Sequence, residues 1–96
     1  MILDLGDGRS LPGGEVVLIL DAACAEASPD FRTSLEEHRR RGRWHGTGRG
    51  SVKSYVLTAG DVLYASILST AALRARLERF AGRGGHGEAS DWRRRA

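Results

Sequence analysis

The residues best able to do chemistry in this chain are cations. Arg39, Arg40, Arg41, Arg43, Arg49 and Lys53 fall within residues 38–53, and no Asp or Glu interrupts them. A guanidinium offers a planar fork of donors that matches phosphate, and an ammonium supplies a point charge. Gly46, Gly48 and Gly50 are interleaved with them, and glycine lets main-chain amides come close to a phosphate backbone. The pattern points to polyanion binding, with Arg43, Arg49 and Lys53 as the central contacts and Arg41 beside them. Trp44 lies among them and could stack on a base; the plainer role is an interface or core aromatic. Arg39–Arg41 also have a plainer reading, as the solvated end of a helix. The late cations Arg93–Arg95 either add non-specific affinity or simply solubilise.

Other chemistries find little support. Residues 46–51 (GTGRGS) resemble a phosphate-cradling loop in composition. They lack the Lys-Ser/Thr ending of a P-loop, and a strand is expected after them where that motif needs a helix. His38, His45 and His86 lack metal-ligand spacing, and the single cysteine cannot complete a zinc site. No acid and base groups stand at an interpretable spacing, so the reading is a non-enzymatic protein without cofactor, metal or small-molecule substrate. His38 is expected as a partly buried helix residue. Cys24, among Ala22, Ala23 and Ala25, is expected as a packed, inert thiol in a small-residue turn.

Several elements must position these groups. Residues 1–5 read as a short strand, Asp7-Gly8 as a two-residue hairpin turn, and residues 9–11 as the return strand. Pro12, Gly13 and Gly14 then break regular structure. Val16–Leu20 is β-branched and apolar and reads as a buried strand. Ser28-Pro29-Asp30 is a helix start: a serine cap, proline at the first helical position and an acid in the first turn. Phe31, Leu35 and His38 share a face of that helix, and Gly42 should stop it. A glycine-rich loop over 42–51 follows, with room for a short strand at Trp44. Val52–Leu57 and Val62–Leu68 form a hairpin about a turn at residues 58–61. A second helix runs from Ser69 or Thr70 to Ala81, with Leu73, Leu77 and Phe80 as its apolar stripe and Gly82 as its stop. The order β-β-β-α-β-β-α predicts an α+β fold, a small antiparallel sheet carrying two helices.

The chain has 96 residues, enough for one domain with a modest core. The domain is expected over residues 1–81, with a disordered basic tail over 82–96. The opening MILDLGDG has no basic n-region, the longest apolar stretch is Val16–Leu20, and one cysteine fits a reducing compartment. These features predict a cytoplasmic protein that does not enter a membrane. Net charge is only +3, but it is segregated. Residues 1–30 hold six acids and one base, whereas residues 38–53 hold six bases and no acid. Such asymmetry suits a polyanion partner, and it equally suits head-to-tail self-association.

Several segments together resemble a known family. Leu5-Gly6-Asp7, then residues 15–21 (EVVLILD), then Ser28 with Phe31, resemble the opening of the small bacterial extracellular-matrix regulators RemA and RemB. Residues 53–58 (KSYVLT) and 62–67 (VLYASI) resemble that family's paired strands, and Ser69, Leu73 and Arg76 its terminal helix. The likeness spans roughly residues 1–80 and is closer to RemB. It implies a cytoplasmic, non-enzymatic regulator of biofilm matrix genes. Its RemA-type members bind DNA and assemble into rings that present arginines. At the positions of those arginines this chain has Glu15, Gly50 and Ser51, while Lys53 matches a basic residue. The resemblance thus implies a homo-oligomer associated with double-stranded DNA through its own loop cations. The alternative is a self-assembling structural or protein-interaction module that touches no nucleic acid.

Overall fold

A computed structural model describes residues 2–48 and 50–84, with side chains described through residue 79. The fold is α+β. Among the described residues the strands are β1 (Ile2–Asp4), β2 (Ser10–Pro12), β3 (Val16–Asp21), β4 (Trp44–His45), β5 (Ser54–Thr58) and β6 (Leu63–Ser66). The α-helices among them are α1 (Ala22–Glu26), α2 (Pro29–Arg40) and α3 (Thr70–Gly84), with a short 3-10 turn at Gly13–Glu15. The strands form two sheets. β1 and β2 make an antiparallel ribbon, and the other four lie in the order β3-β5-β6-β4. In the larger sheet β4 runs parallel to β6 while the remaining pairs are antiparallel. The single antiparallel sheet expected from sequence is thus two sheets, one of them mixed.

Alternation along the central strands explains the architecture. Val56, Ile19 and Tyr64 point to one face of the larger sheet, where they meet Leu3, Leu5, Leu11 and Leu73. Tyr55, Leu20, Leu63 and Ala65 point to the other, where they meet Ala22, Ala25, Phe31, Leu35 and Trp44. The β1–β2 ribbon and α3 therefore cover one face, and α1 and α2 cover the other. With both faces covered, β5 and β6 read as continuous apolar runs.

The helix signals are realised in atomic detail. Ser28 Oγ accepts from the Phe31 amide at 3.3 Å, Pro29 takes the first helical position, and Gly42 leaves the helix at φ +73°. The hairpin turn falls as expected, with the Thr58 and Asp61 amides bonded to Val62 and Thr58 carbonyls. Buried Ser66 donates to the Leu5 carbonyl at 2.7 Å and accepts from the Leu68 amide at 3.0 Å, tying the two sheets together.

Five expectations are corrected. The first turn is not the two residues Asp7-Gly8: the Leu5 amide bonds to the Arg9 carbonyl around Gly6-Asp7-Gly8. Gly6 sits at φ +98°, and a Cβ there would meet Leu68 at 2.8 Å, so packing as well as the turn demands glycine. The stretch around Cys24 is helical, because alanines favour helix and Asp21 caps it by accepting from the Cys24 amide at 3.1 Å. Cys24 itself is exposed and not packed. β3 is an edge strand with no fully buried residue, and a bulge between Val16 and Leu18 leaves Val17 61% and Leu18 44% exposed. Finally, α3 runs past Gly82 to Gly84. The expected disorder of the tail lies outside the described residues from 85 onward, as does the side chain of Phe80.

Candidate nucleic-acid interface

The cationic segment is placed by the end of α2 and by β4. Arg39 and Arg40 lie in the last turn of α2 and Arg41 is its C-terminal cap residue, where positive charge opposes the partial negative charge of the last carbonyls. Gly42 reverses the chain. Arg43 then docks as its amide bonds to the His38 carbonyl at 2.8 Å and its carbonyl accepts from the Leu63 amide at 2.9 Å. Trp44 and His45 follow as β4, paired with Leu63 and Tyr64.

Side-chain contacts fix two of these arginines. The Arg39 guanidinium lies over the Trp44 ring at 5.4 Å and bonds to Glu36 at 3.2 Å. Arg43 Nη1 donates to the Gly60 carbonyl at 2.8 Å. Arg40 and Arg41 are exposed and make no side-chain hydrogen bond or ion pair among the described residues. Arg41 and Arg43 both lie beside Asp61, whereas Arg40 lines a groove of α2 with Pro29, Arg32, Thr33 and Glu36; Arg39 and Arg43 are held, and Arg40 and Arg41 are free to meet an anion.

Trp44 is half-buried in the core beneath α2, 6.0 Å from the Tyr55 ring, with Gly46 close against its indole edge. Arg39 occupies a face of the ring. The indole packs against the core, the plainer of its two expected roles, and carries Arg39 on one face. His45 stacks on Tyr64 at 4.8 Å on the sheet's other face.

The remaining candidates fall elsewhere. The Lys53 amide bonds to the Ser66 carbonyl, at the opposite end of β6 from Leu63. Three residues of strand put this anchor about 10 Å from the one that holds Arg43. Lys53 lines a separate cleft with Asp21, Ala22, Ala23, Val52 and Ser69. Arg49 lies outside the described residues. The glycine-rich loop leans on the β1–β2 turn, since Thr47 hydrogen-bonds Asp7; although burial opposes it, this bond helps hold the Asp7 carboxyl below its ordinary 3.8. The structure therefore brings Arg41 and Arg43 together beside Asp61, faces Trp44 with Arg39, and does not bring Lys53 to them.

Sequence reasoning missed His38 and Asp61 as parts of this end. His38 is 11% exposed, with Nδ1 2.7 Å from the Ser34 carbonyl and Nε2 2.9 Å from Asp61 Oδ1. Ser34 at i−4 was a legible signal. Asp61, twenty-three residues away, offered none.

Among the described residues no group of three His, Cys, Asp or Glu side chains could hold a metal ion, and no helix is long and apolar enough to cross a membrane. Compared with known proteins, the chain matches no family model and no curated sequence.

Proposed function

We propose that this chain is a non-enzymatic regulatory protein that associates with double-stranded DNA, through the cationic end of α2 and not through the glycine-rich loop alone. One observation carries the reading: Arg41 and Arg43 both lie beside Asp61 where α2 ends, Arg39 rests on Trp44 nearby, and Arg40 and Arg41 are exposed and unpaired among the described residues. Phosphate contacts of this kind position a protein without reading sequence. A single small patch binds weakly, and an oligomer would multiply it. The RemA/RemB resemblance, closer to RemB, supports the same class of cytoplasmic biofilm-matrix regulator. The test is retardation of duplex DNA across a salt series. Binding should weaken log-linearly with salt, and the slope should fall by about one in Arg40→Ala and by about one in Arg41→Ala. No retardation at low salt sinks the proposal.

A second reading rests on the opposite edge of the sheet. β3 presents exposed Val17 and Leu18 between Glu15 and Asp21, on an edge with no partner strand among the described residues. An exposed apolar edge is a template for pairing with another chain. This favours a self-assembling module. Light scattering across ionic strength decides it: association that Leu18→Lys abolishes supports it, and a monomer at every salt concentration removes it.

A further inference from the structure

The proposed DNA-binding end is held by a contact that depends on protonation. Both ring nitrogens of His38 face acceptors, the Ser34 carbonyl on Nδ1 and the Asp61 carboxylate on Nε2. The Ser34 hydroxyl also lies 3.4 Å from Nδ1, but the carbonyl at 2.7 Å is the much closer partner, and a carbonyl only accepts, so Nδ1 donates to it. A neutral imidazole then has no proton left for Nε2, whose lone pair would oppose a carboxylate. Only the imidazolium satisfies both partners. Asp61 is the described non-glycine residue with positive φ (+61°), in the turn whose Gly60 carbonyl receives Arg43. The His38 carbonyl in turn holds the Arg43 amide. One residue therefore ties α2, the β5–β6 turn and the entry to β4 into one joint.

We propose that protonated His38 is a positioning residue that clamps the cationic end of α2 to the β5–β6 turn, so that the presentation of Arg41 and Arg43, and with it the hold on phosphate, is pH-dependent. The part concerning phosphate rests on the nucleic-acid reading above; the clamp does not. His38 is faced by Ser34 and Arg41 from its own helix and by Asp61 from the turn, while Asp61 is faced in addition by Arg43. The Ser34 carbonyl, against a burial that disfavours charge, and then Asp61 raise His38 above its ordinary 6.5. The hydrogen bond from His38 lowers Asp61 below its ordinary 3.8. A raised histidine contributes stability that is complete below 6.5 and is lost as pH rises through its folded value. A lowered carboxyl contributes stability that is present above 3.8 and is lost as pH falls through its folded value. The clamp is therefore tightest between these limits and loosens towards alkaline pH.

The experiment is an NMR titration of the His38 ring in the full chain, beside Asp61→Asn and His38→Gln, with hydrogen exchange of the Arg43 and Leu63 amides followed at each pH. The expected result is a His38 midpoint above 6.5 that falls in Asp61→Asn, with the two amides exchanging several-fold faster above that midpoint. In His38→Gln their opening should lose its dependence on that midpoint. A midpoint at or below 6.5, or one indifferent to Asp61→Asn, overturns the clamp. Duplex DNA affinity at fixed ionic strength is the separate arm. It should fall several-fold across the His38 midpoint in the wild type and stay flat in Asp61→Asn, which keeps a titrating imidazole but removes its partner. A pH-dependence that survives in Asp61→Asn reflects generic charge and overturns the link to phosphate. No DNA binding at any pH, with the titration as expected, overturns the nucleic-acid reading and leaves the clamp supported.

Discussion

The two faces of the four-stranded sheet are built from different materials. The face under the β1–β2 ribbon and α3 has an aliphatic buried core: Leu3, Leu5, Leu11, Val56 and Leu73 are buried there, and Tyr64, stacked with His45, packs at its margin. The face under α1 and α2 adds small residues and rings to its aliphatics: Ala22, Ala25 and Ala65 are set against Tyr55, Phe31 and Trp44, with Leu63, Leu20 and Leu35 among them. Polar groups follow the same division. On the aliphatic face the buried hydroxyl of Ser66 closes a local structural gap. On the ring face, Tyr55 Oη donates to Glu26 at 2.5 Å, the Phe31 and Tyr55 rings lie 4.8 Å apart, and Arg39 rests on Trp44. An aliphatic core can stabilise but cannot orient a guanidinium. A ring with an electron-rich face can do both. The chemistry of this protein is therefore expected on the ring face, with the aliphatic face serving as its foundation.

Mutations can break that division, and the largest effect belongs to the foundation. Leu73→Ala removes a side chain with no exposed surface and should cost about 2–5 kcal/mol, measured by denaturant unfolding. DNA affinity per folded molecule should be unchanged; a large drop in affinity would show that the two faces are coupled. Ser66→Ala leaves the Leu5 carbonyl and the Leu68 amide without their partner and should cost about 1–3 kcal/mol in the same assay.

On the ring face the effects are smaller and depend on pH. Tyr55→Phe should cost about 1 kcal/mol near neutrality, the usual net value of one hydrogen bond. Burial and the hydrogen bond to Glu26 push the Tyr55 hydroxyl up to about 12 from 10.0. A raised group stabilises fully below its unfolded value, so Tyr55 should lose its contribution as pH rises from 10 to about 12. Unfolding of Tyr55→Phe should lack that alkaline component. Least of all should stability feel Arg41→Ala: a change within about 0.5 kcal/mol is expected at an exposed, unpaired side chain. Its effect should appear in the salt slope of DNA binding. A destabilisation comparable to that of Ser66→Ala would mean that Arg41 is structural.

Much of the fold is legible in local chemistry. The Ser28-Pro29 start and Gly42 stop of α2, the turn over residues 58–61, and the capping of α3 by Ser69, whose Oγ accepts from the Ala72 amide at 3.1 Å, are all short-range events. So is the cationic character of residues 38–53. α1 also has a local cause, its alanines and the Asp21 cap, but the edge position of β3 does not. The run Val16–Leu20 has the composition of a buried strand, yet its place in the strand order leaves it at an edge. Composition reports what a strand can tolerate, not whether neighbours come to cover it.

Caps, turns and charge act within a few residues, and they are enough to specify an α+β chain with a capped central helix, a β-hairpin and a segregated distribution of charge. Tertiary structure alone decided which cations stand together. Arg43 and Lys53 look adjacent along the chain, but the pairing of β4 with β6 carries one to Leu63 while the entry to β5 holds the other at Ser66. It also decided that His38 meets Asp61, a contact set by how α2 lies on the sheet. Such long-range meetings depend on strand order and helix packing, which no local pattern of residues encodes.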